Sequence, residues 1–428
     1  MFSYFFLIFT YFLLGDSMKK ICLILLVVFG FMISVSANTQ DDAKKENSDT
    51  NSKVSDSNGA NSSKNSDGGV NLANGAKSAI MIEASTGKII FEKNAHDKLP
   101  MASMTKMMTL LIIMENIENG NLKWDEKVTT SEHAASMGGS QIFLEVGESM
   151  TVLELVKGIC IASGNDAAVS MAERIGGTEE EFVKMMNKKA KELGLKDTNF
   201  VNACGLDNDN HYSSAYDMAM IGKALIKYDK ILEYTGTYED YLRKNTDKSF
   251  WLVNTNKLVR YYSGVDGLKT GYTETAGYCI TATAKRNNMR LISVVMGEES
   301  SANRNSEVVE MLNYGFNTYQ IDTILSSKKV VKRAKVDLAD DVLVEVVPRE
   351  DINVLNTKTG SKRNARYEVE IGKINAPLKS GSKVGVIKVI ENDKVIMNID
   401  AVVLRNVGKA SIIKVYFRNL LSVANGNI

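Results

Sequence analysis

Proline is nearly missing, with 3 in 428 residues, so no stretch can act as a proline-rich, semi-rigid linker. Histidine is as scarce (His96, His133, His211), and the 4 cysteines at positions 22, 160, 204 and 279 show no Cys-x-x-Cys spacing. Neither a zinc site nor a disulfide-dense scaffold is supported, and no metal or other cofactor is expected. One-sided charge is also absent: 52 Lys+Arg against 51 Asp+Glu leave a formal net charge of +1. Without a basic surplus to neutralise phosphates, a nucleic-acid partner is not expected. What remains is an ordinary globular composition, 44% hydrophobic and 24% charged, on a chain long enough for two or three domains.

The amino terminus reads as an export signal. Met18-Lys-Lys20 is a short cationic stretch, Ile21 to Val35 is apolar, and Val35-Ser-Ala37 offers small residues for cleavage. Residues 1–37 are therefore expected to be a signal peptide, with 1–17 as an extension from an early start codon. The upstream apolar run Phe2 to Leu14 keeps an uncleaved membrane anchor as the alternative. Residues 38–76 are rich in Asn, Ser, Asp, Lys and Gly, too polar to offset the entropy of ordering them, and read as a disordered linker.

The rest divides by hydrophobic period. Ser78–Glu83 and Lys88–Glu92 flank a glycine turn and read as a hairpin; Met104 to Met114 is apolar nearly all round, a helix buried on every side. Further helices are expected over 152–163, 166–175, 178–193, 215–228 and 306–319, with strands over 276–284 and 290–296. Helices inserted between strands of one antiparallel sheet give an α+β domain, layered as α/β/α. From Lys329 apolar and polar residues alternate at period two, an all-β module with a hairpin turn at Glu391-Asn-Asp393. In the tail Ile412, Ile413, Tyr416, Phe417, Leu420, Leu421 and Val423 share one helical face, opposite Lys414, Arg418 and Ser422. This suits a helix lying in a membrane surface, the alternative being a helix docked on the β module.

Chemistry is concentrated in three short motifs. Ser103-Met-Thr-Lys106 opens the buried helix, and a spacing of three puts hydroxyl and amine on one face, one turn apart. Burial and a nearby like charge would both disfavour the ammonium and let Lys106 act as base. The spacing alone is weak, because Ser17/Lys20, Ser85/Lys88, Ser326/Lys329 and Ser380/Lys383 share it; only Ser103/Lys106 enters an extended apolar helix. Ser163-Gly-Asn165 sits on a turn beside the core, readable also as a helix cap. Lys269-Thr270-Gly271 precedes a strand and offers a cation and a hydroxyl to a carboxylate, with a glycine for close approach. Its copy Lys358-Thr-Gly360 lies in a polar stretch with nothing to exclude water. His211 reads as structural, and Cys160, Cys204 and Cys279 as small buried hydrophobes.

Ser-x-x-Lys, Ser-x-Asn and Lys-Thr-Gly, in this order, form the set of penicillin-binding proteins and class A β-lactamases. With Ala102-Ser-Met-Thr-Lys-Met-Met-Thr109, Ser163-Gly-Asn-Asp-Ala-Ala168, Asn254-Thr-Asn-Lys-Leu258, Asp266-Gly-Leu-Lys-Thr-Gly271 and Ala276-Gly-Tyr-Cys279, the chain resembles the low-molecular-mass penicillin-binding proteins that are D-alanyl-D-alanine carboxypeptidases. The resemblance implies a transpeptidase/β-lactamase-like catalytic domain over 77–322, a small all-β domain over 323–406 and an amphipathic membrane helix over 409–424. It implies Ser103 as acyl-ester nucleophile, Lys106 as its proton acceptor, Ser163 and Asn165 as proton relay and amide holder, and Lys269, Thr270 and Gly271 as the carboxylate site. The N–H groups of Ser103 and Tyr272 would form the oxyanion hole, and Lys269 would be the like charge that keeps Lys106 neutral. The implied substrate is a peptidoglycan stem peptide ending in D-Ala-D-Ala, with β-lactams as inhibitors, and the implied location is the outer face of the cytoplasmic membrane or the cell wall. One departure is Asn202-Ala-Cys-Gly-Leu206, where relatives often read Asn-Pro-His-Gly-Leu, which puts the role of that loop in doubt. The alternatives are a class A-like β-lactamase, for which Glu239-x-x-Leu242 lacks the following Asn (Arg243 stands there), and a catalytically inactive wall-binding protein.

Overall fold

The computed structural model describes residues 70–340, 343–360 and 365–424, apart from the Ser422 side chain. The signal segment 1–37 and most of the linker lie outside the described residues. A five-stranded antiparallel sheet organises the first domain: β1 (Ser78–Glu83), β2 (Ile89–Lys93), β3 (Val265–Thr273), β4 (Gly277–Arg286) and β5 (Met289–Glu298). The order across it is β2-β1-β5-β4-β3, so β3, which carries Lys269-Thr270-Gly271, is an edge strand. The motif lies inside the strand rather than before it.

Both faces of the sheet are covered, which is why β1 and β5 are apolar almost without alternation. Successive side chains still part company by period two. Ile80 and Ile82 join the core built on helix α1 (Lys106–Glu118), with α2 (Val152–Lys157), α3 (Asn165–Gly176), α4 (Glu179–Glu192) and α5 (Ala215–Leu225) around it. Ala79 and Met81 join the opposite core with Val308, Met311 and Leu312 of α6 (Ser301–Thr318). The domain is a three-layered α/β/α arrangement, and α1 is its central helix: every residue from Lys106 to Met114 is buried.

Local chemistry sets the element ends. Thr151 and Glu154 form a reciprocal capping box at the start of α2. That helix stops at Lys157 rather than running on to 163, because a π turn over Gly158–Ala162 closes on Ser163 in the left-handed conformation (φ 66°). The folded part also starts earlier than expected. Ala73 and Ala76 are buried, and Gly75 donates its N–H to Glu307 (2.6 Å). A Cβ on Gly75 would lie 2.4 Å from a Glu298 carboxylate oxygen, so a larger residue there would displace the Glu298 side chain.

The second domain pairs β6 (Tyr319–Leu325) with β9 (Ile352–Thr357) and builds a sheet ordered β7-β8-β12-β11-β10 from Lys332–Lys335, Leu343–Pro348, Lys394–Val403, Lys383–Glu391 and Ala365–Ile371. Glu391 faces Lys394 across a two-residue turn in which Asn392 and Asp393 both have positive φ, as a tight hairpin requires. Alternate residues Val344, Val346, Ile387, Val389, Ile399 and Ala401 fill its core. Helix α7 (Ile412–Ala424) follows and meets this domain through its polar face: Lys414 pairs with Asp340 (3.3 Å) and Arg418 donates to the Ala339 carbonyl (2.9 Å).

Burial and hydrogen bonding with Glu298 push the Glu307 carboxyl up to about 7. A carboxyl raised in the folded state holds a proton that the unfolded chain has lost. Its stabilising contribution is therefore complete below the unfolded pKa and disappears as pH rises through about 7. Glu307→Gln, which keeps the neutral form at every pH, is expected to gain about 2–5 °C in melting temperature relative to wild type between about pH 5 and about pH 8; calorimetry at the two pH values checks this, and an unchanged difference would exclude it.

Candidate active site

Ala102–Thr105 forms a single 3-10 turn that runs straight into α1, with Lys106 as the first helical residue. Lys106 opens the buried stretch of α1, Lys106 to Met114, and is itself at 0% exposure. A buried amine must find its partners within the protein. Nζ lies 2.9 Å from Ser103 Oγ, 2.6 Å from Asn165 Oδ1 and 2.7 Å from the Cys204 carbonyl oxygen. The latter two can only accept, so they take two amine hydrogens. The third position meets a hydroxyl, which accepts from an ammonium or donates to a neutral amine. Burial lowers the Lys106 pKa to about 8, against smaller upward pulls from Cys204 and Asp166. Relative to an exposed lysine this favours the neutral form by roughly 3 kcal/mol.

Asn165 is placed by its own loop. Its Nδ2 donates to the Gly138 carbonyl (2.6 Å), which turns Oδ1 towards Lys106, and its backbone N–H donates to Ser140 (2.7 Å). Next in the chain, the Asp166 carboxylate accepts from the N–H groups of Ile142 and Leu144, lacing loop and helix start together. Ser163, two residues before Asn165, is buried at the same bend. No hydrogen bond joins its hydroxyl to Ser103 or Lys106 among the described residues.

Strand β3 closes the other side. A Cβ on Gly271 would come within 2.8 Å of the Met101 carbonyl and 3.1 Å of the Ser103 nitrogen, so only glycine lets the strand edge reach the nucleophile turn. Lys269 is buried and donates to the Thr270 carbonyl (3.0 Å), which occupies one of its three donor positions. Thr270 donates to the Thr255 hydroxyl (2.7 Å). Tyr272 is 53% exposed and stacks on Tyr278. The Lys269 pKa is pushed well below the lysine range, first by burial and then by the Lys106 charge. The like-charge effect thus appears on Lys269, while burial is the first cause at Lys106.

Sequence reasoning missed the Cys204 carbonyl. Asn202 Oδ1 accepts from the N–H groups of Cys204, Gly205 and Leu206, curling the loop so that the carbonyl faces Lys106. The glycine was the available signal: Gly205 has φ +95°, and a Cβ there would lie 2.0 Å from the Ala102 carbonyl oxygen. The departing loop therefore has a definite contact with the site. Glu239 is exposed at the start of a short strand, and Arg243 is ion-paired with Glu148, so no sheltered glutamate of the lactamase type stands there. The Lys358 copy is exposed, its amine donating to the Phe316 carbonyl. The thiols stay protonated, with burial pushing Cys160 up to about 12 and Cys279 up to about 11.

Two family models match the chain: D-alanyl-D-alanine carboxypeptidase over residues 64–300, and the penicillin-binding protein 5 C-terminal domain over residues 319–409. The D-alanyl-D-alanine carboxypeptidase DacF of Bacillus subtilis is 50% identical over 343 residues, covering 80% of this chain and 88% of that protein. Penicillin-binding protein 5 of Haemophilus influenzae has a similar structure, with a TM-score of 0.64 at 32% identity over 80% of this chain and 100% of the other. Penicillin-binding protein D2 of Listeria monocytogenes in its cefotaxime-bound form gives a TM-score of 0.53 at 32% identity, covering 58% of this chain and 100% of that one. The mixed helix and sheet domain, the all-β domain after it and these matches lead to one conclusion: the chain belongs to the D-alanyl-D-alanine carboxypeptidase family of low-molecular-mass penicillin-binding proteins.

Proposed function

We propose that the protein is a serine-type D-alanyl-D-alanine carboxypeptidase that removes the terminal D-alanine from peptidoglycan stem pentapeptides through an acyl-enzyme on Ser103, and that β-lactams acylate the same serine. The observation that carries this reading is the Lys106 amine, bonded to the Ser103 hydroxyl while its other two contacts are acceptors only. Once the amine is neutral, its two hydrogens go to Asn165 and Cys204, and its lone pair is left facing the serine O–H.

The substrate's terminal carboxylate would sit on Lys269 and Thr270, where a buried amine has donors to spare. That carboxylate also decides which lysine is charged. It raises the affinity of Lys269 for a proton, and a cationic Lys269 then disfavours the charge on Lys106. Ser103 Oγ attacks the penultimate carbonyl as its proton passes to Lys106, with the N–H groups of Ser103 and Tyr272 holding the oxyanion. The C–N bond breaks as the proton is returned by way of Ser163 to the departing D-alanine amine, and water then hydrolyses the ester.

Residues 1–37 would direct export, and α7 would hold the protein on the outer face of the cytoplasmic membrane. No helix among the described residues is long and apolar enough to cross a membrane. With its polar face turned to the β domain, α7 leaves Ile412 88% and Phe417 58% exposed, and such an outward apolar face suits the headgroup boundary.

Purified protein is expected to release D-alanine from a stem pentapeptide and to take up labelled penicillin, with Ser103→Ala losing at least about 1000-fold in both; an active Ser103→Ala protein would reject the reading, and an inert wild type would favour a wall-binding protein. The acid limb of kcat/KM, which reports the free enzyme, is expected near pH 8. That of kcat is expected lower, because the bound carboxylate has charged Lys269; coincident limbs in a pH–rate series would reject the carboxylate-driven switch. Removing residues 409–428 is expected to abolish sedimentation with anionic lipid vesicles and leave D-alanine release within about twofold of the full chain; continued co-sedimentation would reject α7 as the anchor.

A further inference from the structure

Behind the nucleophile turn lies a hydrogen-bond chain that the reaction scheme above does not use. The backbone N–H of Val201 donates to His211 Nδ1 at 2.9 Å, His211 Nε2 lies 2.7 Å from Thr105 Oγ1, and Thr105 Oγ1 donates to the Ala102 carbonyl at 2.7 Å. Its direction follows from the two ends. An N–H can only donate, so Nδ1 is the bare, accepting nitrogen. A neutral ring then carries its hydrogen on Nε2 and donates it to Thr105, whose own hydrogen is directed to Ala102. Each group has one role, and the chain runs one way.

The receiving carbonyl is an unusual one. Ala102 has φ +47°, the left-handed region that a residue with a Cβ rarely adopts and that its surroundings must hold in place. The Ala102 carbonyl and the Ser103 N–H belong to the same planar peptide unit. Fixing the oxygen at one end therefore fixes the direction of the N–H at the other. Gly205 presses on the same carbonyl from the loop, and Gly271 faces the Ser103 nitrogen from β3.

We propose that His211, acting through Thr105, is a positioning residue that aims the Ser103 backbone N–H into the oxyanion hole. The proposal rests on the reading of Ser103 as the acylated serine. His211 is not a general base here, since its two nitrogens are engaged with Val201 and Thr105 rather than with the serine hydroxyl. Burial holds the ring neutral, its pKa lowered to about 4, with the Lys106 charge acting in the same sense and Asp207 against it. Lys98 and Asp209 are the other charged groups around the cavity that the ring lines. Phe200 packs against the ring edge-on.

The test is the penicillin acylation rate constant per active site, with sites counted by the end-point of covalent labelling so that misfolded protein does not enter. Removing an oxyanion donor costs about 100- to 1000-fold in many enzymes, and misaiming one should cost less. His211→Phe and Thr105→Val are each expected to slow acylation about 10- to 100-fold, with KM for the peptide changed less than about threefold. The double variant should be no slower than the slower single one, because both cut the same chain. His211→Gln and Thr105→Ser, which restore the donor and the acceptor, should recover to within about threefold of wild type. Should His211→Phe fail to fold, the contrast between Thr105→Val and Thr105→Ser decides alone. Per-site rates within threefold of wild type in the single variants, or losses that multiply in the double one, would overturn the proposal while leaving the carboxypeptidase reading intact. A wild-type protein that takes up no penicillin and releases no D-alanine would overturn that reading and this one with it.

Discussion

The burial of one lysine amine is the constraint on which the site depends. A charged group taken from water costs several kcal/mol unless the interior replaces its hydrogen bonds. The protein replaces them from three separate stretches: the turn at Ser103, the helix start at Asn165 and the loop at Cys204. Each stretch needs its own support, and the supports account for much of the surrounding sequence. Asn165 is oriented by Gly138, the loop at Cys204 is curled by Asn202, and the Ser103 turn is approached by Gly205 and Gly271, where any side chain would collide. The buried run Met107 to Met114 of α1 keeps water from its first residue along the helix.

Most of the layering was legible in the sequence, and for a stated reason. Period-two and period-3.6 patterns report which face of an element is buried, so the opening hairpin and α1 emerged within a few residues of their observed limits, whereas the β module, expected from Lys329, begins at Tyr319 with a strand the alternation did not reveal. Boundaries that depend on backbone conformation did not emerge. The helix expected over 152–163 ends at Lys157 because a π turn and a left-handed Ser163 follow it, and neither leaves a mark in hydrophobic period. The linker was carried through to Ala76, yet Ala73 and Ala76 are buried, since small residues that fit under a neighbouring strand look the same in sequence as small residues in a loop.

The site divides along a similar line. Side chains could be singled out from residue type, spacing and resemblance: Ser103, Lys106 and Asn165 are joined by hydrogen bonds, and Lys269 is buried on β3. The Cys204 carbonyl could not, because a backbone oxygen has no letter in a sequence; only the glycine beside it, at φ +95°, hints that the chain passes close to something. By sequence alone His211 is structural, for want of a triad partner. Its ring is bonded through Thr105 to the peptide unit that carries the Ser103 nitrogen, a link between residues 106 positions apart. For the tail, the sequence left membrane and β module as competing partners of one helix, whereas Lys414 and Arg418 engage the β domain from the polar side and leave the apolar side outward. A membrane contact through the apolar face would therefore not compete with the contact to the β domain.

Two buried lysines close enough for the charge of one to act on the other raise the question of where that charge resides. Burial lowers the Lys106 pKa to about 8, and burial together with the Lys106 charge lowers that of Lys269, so a proton on one amine disfavours a proton on the other. In the proposed scheme a carboxylate against Lys269 would favour the charged form of that amine, and the new cation would disfavour a charge on Lys106. Activation of the base would then be coupled to occupation of the site by a ligand with a carboxylate at the right end. Such coupling would let an enzyme keep a potential nucleophile buried beside an amine without a permanently reactive serine. It also gives the carboxylate a role in selectivity: a peptide lacking that charge would lose its anchor and leave the base protonated, two penalties from one missing group.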